Sequence, residues 1–277
     1  MKISRKMIVA ILSILALGIV VIGCSKDNSK EIESGISKKT ISIGCMPLNK
    51  DAVEALTDFM GEKGYEIDIR IFDGNNLPAE ALAANEIDCL LLNHLPWIKT
   101  FNAQHDSELT LVDGFSYASE LGIYSEKHSS IEEIPENGII IISNDPTNID
   151  RSLTFLEQLG LIKLGEKNGE FYSILDIVEN LKNIEFREVE TTSTAGSYKD
   201  VDASVSFTSV MKNAGIDAQG YIEEDGKSKD FPVGFVVNKG NEETKWAKDL
   251  VEVAQKEEYK NRFDNIFEGA YVILENK

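Results

Sequence analysis

Cysteine and histidine are scarce, with three of each in 277 residues. So few cysteines exclude a disulfide-held scaffold, and three histidines leave little material for a zinc site or a histidine relay. Positive charge is also in short supply: 28 Lys+Arg stand against 47 Asp+Glu, a formal charge of −19. A chain this acidic is repelled by phosphate backbones, and no basic patch lies beyond the short amino-terminal run, so nucleic acid is not an expected partner. The sequence has no Gly-rich GxxxxGK(S/T) loop, so ATP chemistry does not belong to this chain. It also lacks a nucleophile elbow, a metal-spaced His/Cys cluster and a clear acid–base pair. The expectation is therefore no enzyme, no metal and no cofactor. What remains is ordinary globular composition, 42% hydrophobic, 27% charged and 8% aromatic, without internal repeats or low-complexity segments in the body.

The one long apolar run is amino-terminal. Lys2, Arg5 and Lys6 precede an uncharged stretch from Met7 to Gly23, which reads as a signal-peptide h-region. At 17 residues it is slightly short for a spanning helix, which needs ~20. It ends Val21-Ile22-Gly23-Cys24, a pattern similar to the lipobox of bacterial lipoproteins. In that family the cysteine, here Cys24, is diacylated and becomes the first mature residue, and two acyl chains suffice for stable anchoring. Residues 24–38 are polar after the cysteine and read as a flexible tether. Cleavage of residues 1–23 would leave 25 positive against 47 negative charges, a mature charge of −22.

The body from Lys39 alternates strand and helix patterns. Thr40–Cys45 and Tyr65–Phe72 have period two, and Ala52, Ala55, Leu56, Phe59 and Met60 recur at helical spacing. Pro78 opens a short alanine-rich helix. Ile87–Leu92 and Gly138–Ile142 are continuous apolar runs, as expected of strands covered on both faces. Asn183–Val189, Asp202–Phe207 and Phe231–Val237 read as further strands, and Glu242–Gln255 as a helix facing inward through Trp246, Leu250 and Val253. The class is α/β with mostly parallel sheets. In such sheets ligands bind beyond the carboxyl ends of the strands, here residues 46–50, 73–78, 92–98, 143–151 and 207–210.

Two of these stretches carry candidate chemistry. Ser143–Arg151 joins an apolar strand to a helix, whose free N–H groups attract a carboxylate or phosphate. Asn148 and Arg151 share a face there, and Arg151 can grip a carboxylate through two N–H bonds. Equally, Asn148 could simply cap the helix and Arg151 pair with a surface acid. In Leu92–Trp97, His94 and Trp97 share a face if a helix follows the strand, and Trp97 can wall a pocket for an apolar or soft side chain. The alternative is a packed Trp beside a hydrogen-bonded His. His105 and His128 read as surface residues, and Cys45 and Cys89 as buried free thiols.

The chain resembles the methionine-binding lipoprotein family, the substrate-binding components of methionine-type ABC importers. The resemblance rests on Leu77-Pro78 through Ala81-Leu82, Ile87-Asp88, His94 with Pro96, and Tyr124-Ser125. It rests most on Asn144-Asp-Pro-Thr-Asn148 with Arg151, Gly160-Leu-Ile-Lys-Leu164, and Asp176–Asn180 with Lys182-Asn183. It implies a two-lobed periplasmic-binding-protein-like fold, each lobe a mostly parallel sheet flanked by helices, with two hinge crossings. The expected lobes are 39–119 plus 235–277, and 123–230. It also implies a receptor anchored through Cys24 on the extracytoplasmic face of the cell membrane. That receptor would deliver an amino acid to an ABC permease and its ATPase. Asn148 and Arg151 would hold the ligand's polar end, and His94 and Trp97 would line its side-chain pocket, where sulfur–aromatic contacts contribute ~0.3–1.5 kcal/mol each.

Four expected contacts depart from the family pattern. Asn75 lies where an aromatic is expected, Leu92 where Phe is, and Phe207 and Gly234 each where Asn is. Losing a partner for a buried polar group costs ~1–3 kcal/mol, so two such losses could weaken methionine binding a hundredfold or more. The alternatives are a retuned pocket for another small carboxylate-bearing ligand, or a surface or adhesion lipoprotein without transport.

Overall fold

The computed structural model describes residues 39–274. The expected signal peptide, Cys24 and the tether fall outside the described residues. In chain order the elements are β1 (Thr40–Cys45), α1 (Lys50–Glu62), β2 (Glu66–Ile71), α2 (Leu77–Ala83), β3 (Cys89–Leu90) and α3 (Leu95–His105). Then come β4 (Leu109–Leu111), β5 (Ser116–Ala118), β6 (Leu121–Tyr124), β7 (Ile139–Ser143), α4 (Pro146–Gln158), β8 (Ile162–Leu164) and β9 (Ile177–Asn180). The chain closes with β10 (Glu185–Val189), β11 (Ala203–Phe207), α5 (Thr208–Asn213), β12 (Glu223–Glu224), β13 (Val236–Asn238), α6 (Lys245–Ala254), α7 (Glu257–Phe267) and β14 (Val272–Leu274).

Two five-stranded sheets form the two lobes, in the orders β2-β1-β3-β13-β4 and β10-β7-β11-β6-β12. In each, the three strands joined by helical crossovers are parallel, β2-β1-β3 and β10-β7-β11. On one side of each trio a reversed strand follows, β13 or β6, and then an edge strand, β4 or β12, antiparallel to that one and so running with the trio. They adjoin the passages between sheets: the chain leaves the first after β4 and enters the second at β6, then leaves at β12 and re-enters at β13. The two passages are bonded to each other. Tyr117 N–H donates to Val233 O at 2.9 Å and Val233 N–H to Tyr117 O at 2.7 Å. The carboxyl-terminal β14 pairs with β5 at the same place.

Packing follows the sequence periods. β1 turns Ile41, Ile43 and Cys45 into a core shared with Leu56 and Met60 of α1, Trp246 and Leu250 of α6, and Tyr259 and Phe263 of α7. β7 buries Ile140 and Ile142 against Leu153 and Leu156 of α4, which stops at Gly160, where φ is 72°. That left-handed angle suits glycine and ends the helix. Cys45 and Cys89 are both free and buried.

Two expected strands are shorter by more than half. Ile87–Leu92 narrows to Cys89–Leu90, preceded by Asp88, whose N–H still donates to Ser42 O at 3.0 Å. Its Oδ2 accepts from Ser42 N at 2.9 Å and Ser42 Oγ at 2.7 Å. Phe231–Val237 narrows to a strand starting at Val236, because a 3-10 turn at Ser228–Asp230 and Pro232 set the preceding backbone. Phe231 is thereby freed from the sheet.

Candidate functional site

A cavity of about 1020 Å³ lies where carboxyl ends of strands from both sheets converge. Its lining includes residues just after β1, β2 and β3 in the first lobe and just after β7, β10 and β11 in the second. Asn75, Leu92, His94, Trp97, Asn148, Arg151 and Phe207 all line it.

Asp145, Pro146 and Asn148 build the start of α4. Asp145 is the N-cap and its Oδ1 accepts from Asn148 N at 3.1 Å, while Pro146 fills the first turn, where a missing N–H costs nothing. So Asp145, rather than Asn148, does the capping. The Asn148 side chain is free for other partners. Its Nδ2 donates to Asp145 Oδ2 at 2.6 Å, which fixes the amide's orientation and leaves Oδ1 to accept from His94 Nε2 at 3.1 Å. This bond runs from α4 in one lobe to the start of α3 in the other.

His94 sits at the N-cap of α3, where its Nδ1 accepts from Trp97 N at 3.1 Å. Because Nδ1 accepts, Nε2 carries the hydrogen and donates to Asn148. Burial lowers the His94 pKa to about 4, the Asn148 bond opposes this, and the nearby Arg151 charge adds to it. The imidazole is neutral at physiological pH. Burial raises the Asp145 pKa, against hydrogen bonds from Asn148 and Thr191.

Arg151 does not meet a surface acid. Its Nε donates to Asp225 Oδ2 at 2.6 Å and its Nη2 to Asp225 Oδ1 at 3.0 Å, with both side chains buried. The Phe231 ring centre lies 4.0 Å from the guanidinium carbon and that of Phe207 5.4 Å away. Two-point recognition of a ligand carboxylate is left to the outer edge, Nη1 with the second Nη2 hydrogen.

A row of rings also lines the cavity. Trp97 stacks on Phe101 at 5.4 Å, and Phe101 on His105 at 4.2 Å, a four-residue spacing that puts one ring per turn of α3 along the lining. His105 is exposed, as expected, yet reaches the cavity. His128 is half-buried beside Asp202 instead of lying free on the surface.

Gly234 requires a correction. It is not part of the lining, and an added Cβ there would meet Phe115 O at 2.7 Å and Leu111 Cδ1 at 2.9 Å. The position faces the interior of the first lobe, so no asparagine fits without displacing backbone. Phe231 and Val233 reach the cavity from this segment. Sequence reasoning also missed Asn49, Asn93, Phe101, Thr147 and Asp225. Phe101 carried a signal, four residues after Trp97, and Asn49, Asn93 and Thr147 lay inside the strand-end stretches 46–50, 92–98 and 143–151. Asp225 carried none.

Among the described residues, five buried side-chain atoms have no protein partner: Asn49 Oδ1, Asn93 Oδ1, Thr147 Oγ1, Arg151 Nη1 and Ser152 Oγ. The first four belong to residues that line this cavity. Such atoms cost ~1–3 kcal/mol each when left unpaired, so unmet polar demand is concentrated among the residues around this cavity. The described residues contain no group of three or more His/Cys/Asp/Glu placed to hold a metal, and no helix long and apolar enough to cross a membrane.

Comparison with known proteins places this geometry. Residues 41–274 match the family described as NlpA lipoprotein. The chain is 31% identical over 251 residues to the Haemophilus influenzae "Probable D-methionine-binding lipoprotein MetQ", covering 88% of this chain and 90% of that one. It is 26% identical over 256 residues to the "D-methionine-binding lipoprotein MetQ" of Escherichia coli K12, covering 91% and 92%. A crystal structure of "the Methionine Binding Protein, MetQ" superposes with a TM-score of 0.79 at 26% identity, covering 86% of this chain and 99% of that one. A Burkholderia cenocepacia nutrient binding protein bound to methionine shares the fold, with a TM-score of 0.77 at 24% identity over 85% and 99% of the two chains.

Proposed function

The chain belongs to the NlpA lipoprotein family, and from that membership we propose that it is a lipid-anchored solute receptor of an ABC importer, capturing methionine or a close relative between its lobes. The anchor would be Cys24, holding the body on the extracytoplasmic face of the membrane, with a permease and its ATPase as partners.

One observation carries the reading: Asn49, Asn93, Thr147 and Arg151, each with an unpartnered buried polar atom, all line one cavity. Arg151 Nη1 is a donor suited to a carboxylate. Asn93 Oδ1 is an acceptor suited to an ammonium, its orientation set by Nδ2 donating to Asn75 O at 3.3 Å and Asn75 Oδ1 at 2.9 Å. Trp97 and Phe231 offer ring surface to a thioether side chain, with Phe101 stacked on Trp97. Lobe closure would be a population shift favoured by contacts from both lobes at once, as the His94–Asn148 bond already makes.

The test is titration with L- and D-methionine of the chain and of Arg151→Met. A charge-assisted hydrogen bond is worth about 1.5–3 kcal/mol, so the variant should bind ten- to a hundredfold more weakly. Equal binding by both would remove Arg151 from the site. A second reading, a pocket retuned for another carboxylate-bearing solute, is favoured by the two Phe rings flanking Arg151. It predicts saturable binding of such a solute with methionine inert.

A further inference from the structure

Among the described residues, Arg151 is the one Lys or Arg in the cavity lining, where the carboxyl groups of Asp73, Glu80, Asp145 and Glu190 also stand. Its charge is already matched, because Asp225 holds the Nε–Nη2 edge through two bonds of 2.6 and 3.0 Å. The two side chains are 2% and 0% exposed, so water screens the pair very little. The Asp225 carboxylate is itself fixed by its own loop, with Oδ1 accepting from Lys227 N at 3.1 Å. The Phe231 and Phe207 rings flank the guanidinium, and Nη1 is its unpartnered nitrogen.

We propose that Asp225 is a positioning and specificity residue: it aims the Nη1 edge of Arg151 at the ligand and cancels its charge, so the site accepts a carboxylate only as part of a zwitterion. The proposal rests on the reading of this cavity as an amino-acid site. A solute with a carboxylate alone would carry net negative charge to a wall whose one Arg is already matched and which holds the carboxyl groups of Asp73, Glu80, Asp145 and Glu190. Its desolvation would go uncompensated. A zwitterion brings its own ammonium, which the carboxyl groups and the unpartnered Asn93 Oδ1 favour. Without Asp225 the same wall would present an unmatched guanidinium, and a simple anion would gain most. A purely structural Asp225 would instead change every affinity by the same factor.

The experiment is calorimetric titration of the full chain in detergent with three probes. These are L-methionine, 4-(methylthio)butanoate, which lacks the amine, and L-methionine methyl ester, which lacks the carboxylate. The native chain should bind methionine at least thirtyfold more tightly than either analogue. In Asp225→Asn the butanoate-to-methionine affinity ratio should rise at least tenfold, and Asp225→Glu should bring it back toward the native value. An unmoved ratio in Asp225→Asn overturns the proposal and leaves the receptor reading standing. If that variant does not fold, the native chain decides alone: butanoate or ester bound as tightly as methionine overturns it. Binding of no probe overturns both the receptor reading and this proposal.

Discussion

His94 offers a quantitative test of the site's geometry through pH. Its Nδ1 is occupied by Trp97 N–H and its Nε2–H by Asn148, so a second proton can be added only by breaking the helix cap. Burial, with the Arg151 charge adding to it, lowers the pKa to about 4, against an ordinary value of 6.5. Between those values the unfolded chain holds a proton that the folded chain refuses, so stability rises with pH across the interval. The loss begins as the pH falls through about 7 and saturates below about 4, amounting in full to about 3 kcal/mol at 1.36 kcal/mol per unit. Between pH 7 and pH 5 the same linkage gives about 2 kcal/mol, or a drop in Tm of about 4–8 °C for a body of this size. The control is His94→Asn, which keeps a side-chain oxygen to cap Trp97 N–H and has no proton to gain. Urea unfolding of both proteins at pH 7 and pH 5 should show the native chain losing about 2 kcal/mol more than the variant. Equal losses would mean that His94 titrates freely, and the tautomer and the cross-lobe bond derived from it would be wrong.

Other consequences are directly measurable. Asp225→Ala leaves the Arg151 charge buried and unmatched, so it should destabilise the fold by about 3–5 kcal/mol in chemical denaturation; a loss below 1 kcal/mol would contradict the burial of the pair. Gly234→Asn should cost about 1–3 kcal/mol by overpacking against Phe115 O and Leu111, without tightening ligand binding; a gain in affinity would return that position to the site. Burial raises the Cys45 pKa to about 11 and pushes that of Cys89 up as well. The native body, residues 25–277, should therefore not react with a thiol reagent at pH 8, and should release two thiols on unfolding without reductant. A count of zero after unfolding would reveal a disulfide.

The parts of the fold legible in the sequence are those with a period. Ile41, Ile43 and Cys45 alternate, Ala52 to Met60 recur at helical spacing, and the Gly138–Ile142 run is the buried β7; each sits in the element its pattern predicts. The candidate site was legible in outline because strand ends and helix starts define where an α/β cleft lies. That placed Asn148, Arg151, His94 and Trp97 together although 54 residues separate His94 from Asn148. What could not be read lies where no period operates. The segment 225–235 passes between sheets without a repeat, so a slip of a few residues assigned Gly234 to a cavity that Phe231 lines. Asp225 meets Arg151 across 74 residues, and one acid among 47 carries no mark of its partner.

The most direct test of the central claim is calorimetric titration of L-methionine into residues 25–277, unfolded and refolded first to strip carried ligand. The account predicts saturable one-to-one binding with a matching rise in Tm. No heat and no thermal stabilisation would show that the unpartnered atoms of Asn49, Asn93, Thr147 and Arg151 await a different solute, and the methionine reading would fall.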